Sequence, residues 1–220
     1  MNNFQEYYQY ILCEKDNDVN KVGIFPGAFK PPHAGHYYTA LNACKENDSV
    51  YIFASSKSRA LSTQNKSTST DKDCDSMRYQ NLIKPDSKFT TNLLSIQPAE
   101  CARMTSASAV RAAIAVKDKT TIIKNLPEGL SDEEKDSIYN IFMRSNDISN
   151  DDYGHITMDQ MMAVWYIYGD LLSRESSLSR EDIKIIVSNG SPVGDTYELV
   201  DSINNDERAG SSSIRLYVGI

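Results

Sequence analysis

Apolar positions along this chain repeat with two different periods. Short apolar-rich runs at 22–25, 50–54, 93–96, 183–187 and 214–218 have the length of strands, and the 183–187 run reads as a buried one. Between them, apolar residues recur three and four positions apart, the period of a helix. Tyr37, Ala40, Leu41 and Cys44 mark one face of a helix over about 34–45. Phe4, Tyr7, Tyr8, Ile11 and Leu12 mark a shorter one over 4–14. Thr105 or Ser106 is an N-cap candidate for a helix running to Ile114. Ser131 and Glu134 have capping-box spacing ahead of Ile138, Ile141 and Phe142. Thr157 and Gln160 repeat that spacing ahead of a helix to about Leu172, which buries Met161, Val164, Trp165 and Tyr168. Ser188 to Gly194 reads as a loop, followed by a short helix near Thr196 to Ile203.

A strand, a helix and a strand within about 35 residues fit a right-handed βαβ unit, so the sheet is expected to be mostly parallel. The alternation as a whole predicts an α/β protein. The polar, low-complexity stretches 61–76 and 145–155 cannot bury much surface and read as loops or linkers.

Composition narrows the class. The 220 residues are enough for a proper core, with 40% hydrophobic and 24% charged positions. A net charge of −7 argues against a general nucleic-acid binder but leaves room for an anionic small molecule held by local positive charge. Cys13, Cys44, Cys74 and Cys101 lack paired spacing, which speaks against zinc and for a reducing, cytoplasmic setting. No run has the roughly 20 apolar residues of a membrane span, and no signal peptide is read at the N-terminus. A homo-oligomer is compatible with the sequence.

The candidate chemistry sits after the first strand. Gly27, Pro31 and Pro32 break the apolar run, and His33 and His36 follow, two of only three histidines in the chain. Their spacing puts both imidazoles on the first turn of the next helix. A strand, a glycine turn and a helix N-terminus leave backbone N–H groups pointing outward, which suits a phosphate. A metal site or a structural pair are the alternatives, although no third metal ligand is evident nearby.

The segment Gly27-Ala28-Phe29-Lys30-Pro31-Pro32-His33-Ala34-Gly35-His36 resembles the G-x-F-x-P-x-H-x-G-H signature of the nucleotidylyltransferase superfamily. Ser106, Ser108 and Arg111 are similar to its second signature, I-S-S-T-x-x-R, with Ala107 in place of a serine. The resemblance implies a Rossmann-like three-layer fold with a sheet of about five strands. It implies transfer of a nucleoside monophosphate from ATP or CTP to a small phosphorylated acceptor, with pyrophosphate released. His33, His36, Arg111 and Lys30 would be catalytic. Phe25, Gly27, Ala28, Phe29, Gly35, Ser106 and Ser108 would bind the nucleotide. Mg2+ would accompany the triphosphate, with no dedicated carboxylate cage in the protein. Lys30 stands where many relatives carry Asp, so their acceptors do not carry over.

Lys57, Arg59 and Ser191 lie at strand ends, where they would touch phosphate or acceptor, or remain solvated loop groups. Ser56-Lys57-Ser58 also resembles the end of the K-M-S-K-S motif of class I aminoacyl-tRNA synthetases. It follows the histidines too closely for that, and the chain lacks room for tRNA recognition.

The order of segments departs from the family. Two strong strand patterns, 183–187 and 214–218, follow the Ser-x-Ser-x-x-Arg helix, which in relatives follows the last strand. A single domain over 1–220 with rearranged segments is expected; the alternative is 1–150 with a separate 156–220 unit. The rearrangement also keeps open a non-catalytic nucleotide-binding or structural protein.

Overall fold

The computed structural model describes residues 20–55, 93–98, 107–144, 156–188, 192–205 and 212–218. In chain order the elements are β1 (Asn20–Gly27), α1 (Ala34–Glu46), β2 (Ser49–Ser55), β3 (Leu93–Pro98), α2 (Ala107–Ala115) and α3 (Lys119–Lys124). They continue with α4 (Asp132–Met143), α5 (Met158–Glu175), β4 (Ile183–Ser188), α6 (Pro192–Asn205) and β5 (Ser212–Val218). The expected helix at 4–14, the loops 61–76 and 145–155 and the Thr105–Ser106 cap lie outside the described residues.

The sheet is built on β5, β1, β2 and β4, side by side and all parallel. β3 adds to the far side of β5, also parallel, with a register irregularity between Leu93 and Ser95. Strands drawn from the first and last quarters of the chain therefore share one sheet.

Each strand's two-residue period sends alternate side chains to opposite faces. Val22 and Ile24 of β1, Phe53 of β2, and Ile214 and Leu216 of β5 pack with Val200 of α6 on one face. Phe25 of β1 and Val50, Ile52 and Ala54 of β2 join the larger core on the other, with α1, α2, α4 and α5. Helices thus cover both faces, which is why β1 reads as an unbroken apolar run rather than an alternating one. The helix expected to bury Met161, Val164, Trp165 and Tyr168 does so, and extends to Glu175.

Two expectations need correction. The 183–187 strand is not fully buried. Ile183 is enclosed, but Ile186 is 37% and Val187 36% exposed. β4 is an edge strand, paired among the described residues with β2 alone. The helix near Thr196 starts earlier, at Pro192, so the end of the expected loop is helical. Proline suits the first turn of a helix, where its missing N–H would have no partner in any case. The six-residue α3 was not anticipated, because its run Thr120, Thr121, Ile122 and Ile123 is β-branched and disfavours helix. Asp118 starts that helix by capping it, accepting from Thr121 N–H and Thr121 Oγ1. No helix among the described residues is long and apolar enough to cross a membrane.

Candidate functional site

β1 carries the chain to the carboxyl edge of the sheet. There Phe29 adopts φ 48°, a left-handed conformation that a bulky residue enters only at a cost. The turn lays its ring over Gly27, where an added Cβ would overlap Phe29 Cε1 and Cζ. Gly27 is thus needed for close approach. The Phe29 ring packs 4.8 Å from Phe25 and 4.9 Å from Trp165, and stands edge-on to His36 at 5.1 Å. Phe25 and Phe29 are 0% and 3% exposed, so their rings support the histidines from below and do not line an open surface.

His33 is the N-cap of α1. Its backbone is extended, and Nδ1 accepts from Gly35 N–H at 3.1 Å. An imidazole that accepts through Nδ1 carries its proton on Nε2. His36 follows in the first turn and stacks on His33, with centroids 3.8 Å apart and planes inclined by 26°. Burial holds His33 down to about 4, and the positive charge of Arg111 pushes the same way. His36 also lies well below the usual histidine range, chiefly through burial and then through His33. Its ring keeps some exposed edge, but Nδ1 is covered and meets no hydrogen-bond partner among the described residues. Both imidazoles are neutral at pH 7.

Arg111 comes from α2, far along the chain. Its Nη1 donates to the backbone carbonyl of Lys30 at 2.9 Å, and Nη2 donates to Ser108 Oγ at 2.9 Å. The two motifs therefore meet, with Ser108 holding the guanidinium. Lys30 is partly buried, which lowers its pKa below the ordinary lysine value. Gly35 is buried in the first turn of α1, while Gly27 and Ala28 keep part of their surface. Ser106, Lys57, Arg59 and Ser191 lie outside the described residues.

The backbone of the α1 N-terminus is less open than the sequence led us to expect. Gly35 N–H is taken by His33 Nδ1, and Ala34 N–H donates to the carbonyl of Asn125 at 2.8 Å. Asn125 ends α3, whose six residues the sequence did not announce, so nothing in the pattern pointed to this contact. Attraction for an anion must come mainly from side chains: the Arg111 and Lys30 charges and the His33 Nε2–H. Trp165, anticipated only as a core residue, also belongs to the site's support through Phe29.

Two cations and two neutral imidazoles can hold an anion and donate to oxygens that gain charge during a reaction. Among the described residues no group of three or more His, Cys, Asp or Glu side chains is placed to hold a metal ion. In comparisons with known proteins, no family model, no curated protein and no solved structure matches this chain.

Proposed function

We propose that this chain is a nucleotidylyltransferase on a single Rossmann-like domain spanning 1–220. It transfers a nucleoside monophosphate from ATP or CTP to a small phosphorylated acceptor. The observation that carries this reading is the Arg111–Lys30 hydrogen bond, which joins the Ser-x-Ser-x-x-Arg motif to the two-histidine motif. The Ser-x-Ser-x-x-Arg segment alone reads as an ordinary capped helix; its meeting with the two-histidine motif beside His33 is what a triphosphate clamp requires.

Strand order supports the reading. In space the strands run β4-β2-β1-β5-β3. If the segment 93–144 followed residue 218, those strands would be numbered 3-2-1-4-5. That is the doubly wound order, whose ligand crevice opens at the carboxyl ends where the order reverses, beside the first strand. His33 stands just beyond the carboxyl end of β1.

In the proposed reaction an acceptor phosphate oxygen attacks the α-phosphorus. The new P–O bond forms as the bond to the bridging oxygen breaks, and pyrophosphate leaves with that oxygen and its electron pair. His33, through Nε2–H, and His36 stabilise the charge that builds on the phosphate oxygens. Arg111, Ser108 and Ser106 hold the β- and γ-phosphates, and Lys30 holds acceptor or triphosphate. Mg2+ enters with the nucleotide as part of the substrate. The setting is cytoplasmic, without nucleic-acid or membrane partners.

Pyrophosphate release from each of the four nucleoside triphosphates, over a panel of phosphorylated acceptors, tests the proposal. Release above that of the His33→Ala/His36→Ala double variant is expected, with ATP or CTP preferred; no excess with any pair refutes catalysis. The second reading is a nucleotide-binding protein without turnover. The occupied Ala34 and Gly35 N–H groups favour it, since they leave fewer donors for phosphate. It predicts that a nucleotide raises the melting temperature while no pyrophosphate appears.

A further inference from the structure

Trp165 links α5 to the histidine pair through Phe29. Trp165 lies at the centre of α5, fully buried, with its indole 4.9 Å from the Phe29 ring at 67° and 6.5 Å from Phe25 at 78°. Phe29 meets His36 edge-on at 76°, and His36 stacks on His33. The four rings form a continuous series running from α5 to the N-cap of α1. Edge-to-face aromatic contacts restrict ring orientation as well as adding burial.

Phe29 needs such restraint. Its φ of 48° is unfavourable for a bulky residue and persists only where the surroundings over-determine it. Gly27 bounds one side of the ring and Trp165 another. The indole's own N–H makes no hydrogen bond among the described residues, so the site uses the ring and not its polar handle. His36 Nδ1 likewise has no hydrogen-bond partner there, so no polar contact at that atom fixes the imidazole. Packing against Phe29 and stacking on His33 are left to orient it.

We propose that Trp165 is a positioning residue for His36, acting through Phe29, and that α5 thereby sets the geometry of the histidine pair. The importance of that geometry rests on the nucleotidylyltransferase reading, but the positioning itself does not. Trp165 and Phe29 carry no charge; among the described residues His33 is the charged or titratable group acting on His36, with Arg111 acting on His33. Loss of the indole therefore changes the hydration of His36 without altering the charge around it.

The test is NMR of histidine-labelled full-length protein, whose three imidazoles are assigned with His33→Gln and His36→Gln. In the native chain burial and then His33 hold His36 well below the usual histidine range, so its ring is neutral at pH 7. In Trp165→Leu its titration midpoint is expected to rise by roughly one unit or more as water reaches the ring. Trp165→Phe, which keeps an aromatic edge against Phe29, is expected to hold His36 near its native behaviour. Tyr168→Phe, whose ring packs against the indole at 5.6 Å, is expected to leave it unmoved. A merely structural role lowers the melting temperature without shifting His36 in the folded protein. An unmoved His36 in folded Trp165→Leu overturns the proposal, as does an equal shift in Tyr168→Phe. Should Trp165→Leu fail to fold, Trp165→Met keeps buried volume without a ring and is judged by the same outcomes. None of these readings requires turnover, so they stand apart from the pyrophosphate assay.

Discussion

The guanidinium of Arg111 donates to the backbone carbonyl of Lys30 across 81 positions of sequence. A bond to a carbonyl fixes the arginine against the turn before His33 whatever side chain residue 30 carries. The other arm of the guanidinium is held by Ser108, three residues back on the same helix. Arg111 is thus oriented at two points before any ligand arrives.

Replacing Arg111 by lysine should disrupt that orientation. A lysine ammonium is a single compact charge and cannot span Lys30 and Ser108 with a planar fork. Loss of one charged hydrogen bond to phosphate corresponds to roughly 10- to 100-fold in affinity. Calorimetric titration with ATP and CTP should show this loss in Arg111→Lys, with the circular dichroism of the native fold retained. If Arg111→Lys and Arg111→Ala both bind as the native chain does, Arg111 is not part of a triphosphate clamp.

A second prediction concerns the turn under the histidines. Gly27→Ala places a methyl group where the Phe29 ring lies, and that ring is enclosed by Phe25 and Trp165. Overpacking of this kind costs about 1–3 kcal/mol. The three nearest atoms all belong to the ring, so adding Phe29→Leu should return part of the loss and make the two changes non-additive. Urea unfolding of the two single variants and the double variant measures the coupling. Additive losses would show that Phe29 does not press on Gly27.

Much of this arrangement could be read from the sequence, and the reasons are physical. β1 and β2 are covered on both faces, so their side chains are uniformly apolar and the strands stand out. The capping boxes at Ser131 and Thr157 are local devices, complete within four residues, and both form as their spacing predicts. His33 and His36 come together as their three-residue spacing suggests, although His33 stands at the N-cap rather than within the first turn. What escaped the sequence depends on distance along the chain. The exposure of Ile186 and Val187 is set by β4's edge position, which an apolar run cannot reveal. The Asn125 carbonyl reaches Ala34 only because α3, a helix with strand-like residues, ends beside α1. The support that Trp165 gives to Phe29 required knowing that α5 packs over that turn.

The two capping boxes should differ in strength. Gln160 accepts from Thr157 N–H and also donates through Nε2 to the Ile141 carbonyl at 2.6 Å, tying α5 to the end of α4. Glu134 accepts from Ser131 N–H and otherwise pairs with Arg174, whose side chain is half exposed. A surface ion pair contributes little, whereas Gln160 Nε2 makes a part-buried hydrogen bond to a carbonyl that also accepts from Arg144 N–H at 3.3 Å. Gln160→Ala is therefore expected to cost about 2 kcal/mol and Glu134→Ala about 1 kcal/mol. Urea denaturation of both variants checks the ranking. Equal losses would mean that the Ile141 contact adds nothing to the cap.

The acid limb of the stability curve should carry the mark of His33. Its pKa in the folded protein is about 4, below the 6.5 of an unperturbed histidine, because burial and Arg111 both disfavour the imidazolium. Between those values the unfolded chain binds more protons than the folded one, so folding stability falls as pH falls. The effect is absent above about pH 7 and amounts to about 3 kcal/mol by pH 4, at 1.36 kcal/mol for each unit of difference. His36 acts in the same direction. His33→Asn removes the titrating ring but keeps an acceptor suited to the N-cap, so the helix start should survive. Unfolding free energies of the two proteins, measured in urea from pH 7 to pH 4, should diverge as the pH falls, with the native chain losing more. His36 loses only the part of its shift that comes from His33, which adds to the difference in the same direction, and groups away from the pair cancel. If the curves run parallel, His33 is not held neutral by its surroundings, and a proposed role that begins from a neutral ring with its proton on Nε2 fails with it.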